Sequence, residues 1–146
     1  MNTLLIDQQY YDLCLDASGN IAVASAPYSI VQDVCSACRT FLGEVFYDTT
    51  LGIPYFTQIL GQFPPPALIK AQLVAAALTV PLVTSATVYL SAIHNRSLSG
   101  QVQFTYSTPT TPSKPALGIV SFFGTGVRLI TFIGSNSAAV SFGANP

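Results

Sequence analysis

Between residues 97 and 107 the chain alternates strictly. Leu98, Val102, Phe104 and Tyr106 fall on one side with Gly100 in register, and Ser99, Gln101, Gln103, Thr105 and Ser107 fall on the other. A period of two marks a strand with one buried and one wet face. Residues 84–93 are β-like as well, and Asn95-Arg96 supplies a turn, so the two segments are expected to pair as an antiparallel hairpin. A different period governs Ile30, Val31, Val34, Cys35, Cys38, Phe41 and Leu42, which form one helical stripe opposite Gln32, Asp33, Ser36, Arg39 and Thr40. Pro27-Tyr28-Ser29 opens this helix, Ser29 and Gln32 have capping-box spacing, and Gly43 is the expected stop. A second helix is predicted from Pro66 to near Thr79, with the stripe Leu68, Ile69, Leu73, Ala76 and Ala77; Pro81 ends it.

The remaining segments are shorter. Residues 10–15 and 21–23 flank the turn-rich Asp16-Ala17-Ser18-Gly19-Asn20 and predict an N-terminal hairpin preceded by a short arm. Residues 44–48 are read as extended, 49–52 as a turn, and 54–60 as a short helix with Pro54 at its first position. Residues 108–115 have the polar, proline-rich composition of a linker. Beyond it lie three short β-like runs, 118–123, 127–133 and 138–142, too few to bury a core of their own. The expected architecture is α+β: an N-terminal hairpin, two main helices packed on an antiparallel sheet, and a short all-β extension. The corresponding division is a domain over 1–108, a linker over 109–117, and an extension over 118–146 docking on the core or on a partner subunit.

Charge sharpens this picture. Half of the 146 residues are apolar and only 8% are charged, for a formal net charge of −1, where an ordinary soluble domain carries roughly 25% charged residues. Little charge is left to keep a lone molecule apart from others, so much of the surface is expected to be covered by partners. The basic residues Arg39, Lys70, Arg96, Lys114 and Arg128 are scattered, which argues against nucleic acid. The most apolar stretch, 67–83, is broken by Lys70, Gln72, Thr79 and Pro81, which argues against a membrane span. The first residues lack the pattern of a secretory signal, so assembly in a cytoplasm is expected.

Candidate chemistry is sparse. Cys35 and Cys38 have C-x-x-C spacing but fall on the apolar face in mid-helix. Together with Cys14 they are expected to be inert thiols. His94 adjoins the hairpin turn and is assigned a surface role. No nucleophile elbow is present, and Gly124-Thr125-Gly126 precedes no helix that could bind phosphate. The closest approach to a catalytic pair is Glu44 with Asp48, as glycoside hydrolysis uses two carboxylates. In an extended segment they would stand ~13 Å apart. The competing roles are a charge closing the junction after the helix for Glu44 and a turn-initiating carboxylate for Asp48. No catalytic, metal or cofactor site is therefore expected.

A family resemblance lies in Asp12, Leu13, Leu15, Asp16 and Gly19 of the hairpin, and in Gln32, Asp33, Val34, Thr40, Leu42, Gly43 and Glu44 of the helix and its end. It continues through Asp48, Gly52, Ile53, Ile59, Leu60 and Gly61. This order resembles the small baseplate-wedge, or sheath-initiator, family of contractile phage tails, some members of which carry a lysozyme-like label. The resemblance covers roughly residues 3–107. Where the family has Glu-Pro-Arg after the second helix, this chain has Val80-Pro81-Leu82 and keeps only the proline.

The resemblance implies a non-enzymatic component of a virion tail baseplate. It would be present in several copies in an inner ring with wedge, hub or tube, and sheath proteins, and would template the first sheath ring by strand addition. Glu44, Asp48, Arg96, Ile119, Phe123, Arg128, Phe132 and Phe142 are the residues expected at partner interfaces. The alternatives are a peptidoglycan hydrolase using Glu44 and Asp48, or a carbohydrate- or receptor-binding module using the seven Tyr and nine Phe.

Overall fold

A computed structural model describes residues 2–7, 12–59, 62, 64–94, 97–108, 111–123 and 126–128. Its centre is an antiparallel sheet of β3 (Val83–His94), β4 (Ser97–Thr108), β5 (Thr111–Phe123) and β6 (Gly126–Arg128), hydrogen-bonded in that order. Register builds the inner face. Val88 faces Val102, which faces Val120; Ala86 faces Phe104, which faces Gly118; Leu90 faces Gly100, which faces Phe122. Val102, Phe104, Tyr106 and Val120 are almost wholly buried. The large side chains are accommodated by glycines: a methyl group on Gly118 would run into the Phe104 ring, and one on Gly100 into Phe122 and the backbone of Tyr89. The alternation read along β4 is borne out.

Two helices cover this face, α1 (Tyr28–Arg39) and α2 (Pro66–Leu78). Ile30, Val31, Val34, Cys35 and Cys38 of α1 and Ile69, Leu73 and Ala77 of α2 share one core with the sheet residues. α2 lies against β3 and β4, and α1 against β5 and β6. The predicted α2 is found as expected. α1 is shorter than its stripe suggested, because Thr40 turns to an extended conformation and Phe41 pairs with Ile53. The capping box is not formed. Ser29 is buried inside the helix, and Pro27 precedes it with no side-chain cap. The short helix predicted over 54–60 is a single π turn, Tyr55–Ile59.

The N-terminal hairpin is present, bridged at Leu15 and Ile21 around a turn held by Asp16, whose Oδ1 accepts from the Ser18 and Asn20 N–H groups. The preceding arm is not free. β1 (Thr3–Leu4) pairs with β2 (Val23–Ala24), and Ile6 bridges Leu13. Gln32 of α1 fastens it: Ile6 N donates to Oε1 at 3.0 Å, and Nε2 donates to Leu4 O at 2.7 Å and to Thr3 Oγ1 at 3.3 Å.

The expected linker is corrected in part. Residues 111–117 lie in β5, where Thr111, Ala116 and Leu117 pair with β4. Proline composition misled here because Pro112 and Pro115 stand at the register irregularity between the Tyr106–Ala116 and Thr108–Thr111 pairs. There the ladder is already interrupted and a missing N–H costs little. Residues 118–123, read as the start of an extension, continue the same strand and place Val120 and Phe122 in the core. The predicted strands beyond 128 and the 95–96 turn lie outside the described residues.

Candidate partner interface

Among the described residues, the most exposed aromatic side chains lie in the segment from the end of α1 through the π turn. The backbone closes it at its base: Leu42 N donates to Ile53 O at 3.0 Å, and Ile53 N donates to Thr40 O at 2.9 Å. Gly52, at φ +107°, makes this closure feasible. A Cβ there would sit 2.5 Å from the Phe41 carbonyl and 2.7 Å from Leu42 N, so only glycine fits. Within the loop Glu44 Oε2 accepts from Phe41 N at 2.9 Å, and Asp48 Oδ1 accepts from Thr50 N and Oγ1 at 3.0 and 2.6 Å. The Thr50 side chain and backbone hold the Asp48 carboxyl below its ordinary range.

Each carboxylate thus secures its own turn, and the extended segment expected over 44–48 is instead a succession of turns. What the loop presents is aromatic. Phe46 is 91% exposed, Tyr47 77% and Phe56 70%, with Leu42 and Leu51 beside them in sequence. Phe46 and Tyr47 meet edge to face at 5.3 Å, and Phe56 stacks on Phe41 at 4.9 Å. Sequence reasoning passed over these residues, although adjacent aromatics in a segment without hydrophobic periodicity were a visible signal.

The sheet contributes a second surface. β3 is an edge strand of twelve residues among the described elements, with neither proline nor Lys, Arg, Asp or Glu along it. Edges of soluble proteins are commonly blunted by such residues. Ile119 lies on the sheet face opposite the helices, in register with Gln103 and next but one to the exposed Leu117. Arg128 pairs with Ser121, and Phe123 with Gly126, on the short edge β6. Of the residues expected at interfaces, Glu44 and Asp48 share the loop, while Ile119, Phe123 and Arg128 lie on the far strands. Arg96, Phe132 and Phe142 fall outside the described residues.

The buried reactive groups are structural. Cys35 and Cys38 form no disulfide and are packed in the core, and burial, with Cys35 adding to it, pushes Cys38 up to about 12. A thiol so raised stays protonated at neutral pH. The Tyr55 hydroxyl donates to Cys38 O at 2.6 Å, and burial raises its pKa as well. Among the described residues no cluster of His, Cys, Asp and Glu could hold a metal ion, and no helix is long and apolar enough to cross a membrane.

An antiparallel sheet with two helices on one face defines an α+β fold. The family model of the contractile injection system sheath initiator matches residues 2–111, and the chain belongs to that family, whose role in the tail is structural. Comparison with curated proteins finds none that matches.

Proposed function

We propose that this protein occupies the inner ring of a phage tail baseplate in several copies, bridges wedge proteins, and nucleates the first sheath ring. The observation that supports nucleation best is the β3 edge, which carries no proline or charged residue. A strand of the incoming sheath subunit that adds to β3 gains main-chain hydrogen bonds along it, with alternate side chains setting the register. The Phe46, Tyr47 and Phe56 loop supplies aromatic anchors for a wedge neighbour. Ile119, Phe123 and Arg128 belong to a further contact on the opposite side of the sheet.

The test places lysines on the exposed positions Thr87 and Ser91 of β3. Thr87→Lys with Ser91→Lys is expected to leave folding intact and to lower sheath polymerisation on baseplates at least tenfold, since edge lysines block strand addition. Normal sheath assembly by this variant would exclude β3 as the template.

A further inference from the structure

The free edge of β3 is not uniform along its twelve residues. Val83 faces Tyr106 and Ser85 faces Thr105, so Thr84 is an extra residue with no counterpart in β4. Leu90 faces Gly100 and Ala92 faces Ser99, which makes Ser91 a second extra residue. The hydroxyl groups show the first irregularity directly. Thr84 Oγ1 and Ser85 Oγ, neighbours in the chain, both stand against Thr105 Oγ1, at 2.9 and 2.6 Å. In a regular strand adjacent side chains point to opposite faces. Between the two irregularities, over residues 85–90, the ladder runs unbroken. The apolar spacing obeys the same break: Val83, Ala86, Val88 and Leu90 all pack in or against the core, although the first step is three residues and the others two.

A bulge bends its strand and breaks the even row of N–H and C=O groups that an added strand needs. The usable edge is therefore residues 85–90, about 20 Å long. Its two sides differ. Ser85, Thr87 and Tyr89 are exposed on the outer side, and Ala86, Val88 and Leu90 lie on the inner side with the core. α2 lies chiefly against β3. A helix is about 10 Å wide and strands stand about 4.8 Å apart, so α2 overhangs the place beyond β3 where a further strand would lie. A contact about 20 Å long across a sheet roughly 10 Å thick offers about 200 Å², against ~800 Å² per partner in a standard interface. Such an edge does not hold two free copies together. Copies set around a ring are related by its rotation, whereas an edge meets the same edge of another copy across a two-fold axis. The occupant is therefore a different protein, and for a sheath initiator that protein is the sheath subunit.

We infer that residues 85–90 form a slot for one short strand of a sheath subunit, apolar at alternate positions toward α2 and polar beside Ser85, Thr87 and Tyr89. This rests on the reading of β3 as the sheath template and adds its length and register. The extra residues Thr84 and Ser91 end the pairing at either side. The unlike faces set the register, because a slip of one residue would turn the apolar row of the incoming strand to the outer side.

The test uses the full chain on baseplates supplied with the sheath protein of the same tail. Thr87→Lys alone is expected to lower sheath polymerisation at least fivefold, and Ser91→Lys alone by less than twofold. Both variants are expected to keep the circular dichroism spectrum and thermal midpoint. A benzophenone amino acid at position 87 is expected to cross-link, on irradiation, to a sheath segment in which polar and apolar residues alternate. Equal losses from the two lysines, or a cross-link to a sheath segment without that alternation, would overturn the slot and leave the template reading standing. Normal polymerisation with Thr87→Lys would defeat both readings together. So would cross-links confined to a second copy or to residues 129–146 of the same chain, or none at all.

Discussion

Gln32 stands three residues after Ser29, the spacing a capping box needs, yet its amide serves the arm. The helix begins at Tyr28, so Ser29 lies inside it rather than at its cap, while three polar groups of the arm stand within reach of the Gln32 amide. Gln32→Leu keeps the volume but strands the Ile6 N–H and the Leu4 carbonyl. An unmade hydrogen bond at a part-buried site costs about 1–3 kcal/mol. Amide hydrogen exchange at Ile6 is expected to quicken in this variant while exchange in β4 holds. One residue further, Asp33 has a buried Oδ2 with no hydrogen-bond partner, and partial burial lifts its carboxyl to about 6. The folded state therefore holds this proton more tightly than the unfolded chain, with its ordinary 3.8. The stability it contributes is fully present below pH 3.8 and is lost as pH rises through about 6. Asp33→Asn is expected to raise the thermal midpoint at pH 7 and to shrink the fall in midpoint between pH 4 and pH 7. An unchanged midpoint at pH 7 would show that solvent already satisfies the carboxylate.

At the scale of elements, the inner face of the sheet rests on two glycines that a binary pattern cannot distinguish from turn glycines. Gly118→Ala drives a methyl into Phe104 between β4 and β5. Overpacking of this kind costs about 1–3 kcal/mol, so a chemical denaturation midpoint below wild type is expected. Gly52→Ala, at a positive φ and against backbone rather than a movable side chain, is expected to lose at least ~2 kcal/mol. The elements legible in the sequence were those whose period was set by burial: α2, and β4 with its alternating Val102, Phe104 and Tyr106. The illegible ones were set by partners distant in sequence. The end of α1 is decided by the bridge from Phe41 to Ile53, the arm by Gln32, and the start of β5 by β4 receiving a proline-containing strand at an irregular register. The interface was legible only in part for the same reason. Glu44 and Asp48 were picked out for charge, but their oxygens face their own turns, and the rings beside them are what the segment exposes.

For the molecule as a whole, the family match ends at residue 111, where β5 begins. The core does not end there. Val120 and Phe122 close the inner face between Val102, Gly100 and α1, and β5 lies against both β4 and β6. Removing the chain from residue 117 onward would therefore expose Phe104, Tyr106 and the buried side of α1 together. Two lost core side chains alone cost several kcal/mol at about 2–5 kcal/mol for each large residue, comparable with the 5–15 kcal/mol that holds an ordinary domain folded. A chain truncated after Ala116 is expected to show no cooperative thermal transition. A chain truncated after Arg128 keeps every described strand and is expected to melt cooperatively, within a few degrees of the full chain. If both truncations melt alike, β5 contributes nothing to the core, and the segment beyond 111 is free to serve a neighbour. If only the shorter one unfolds, the residues past the family match have become part of the fold.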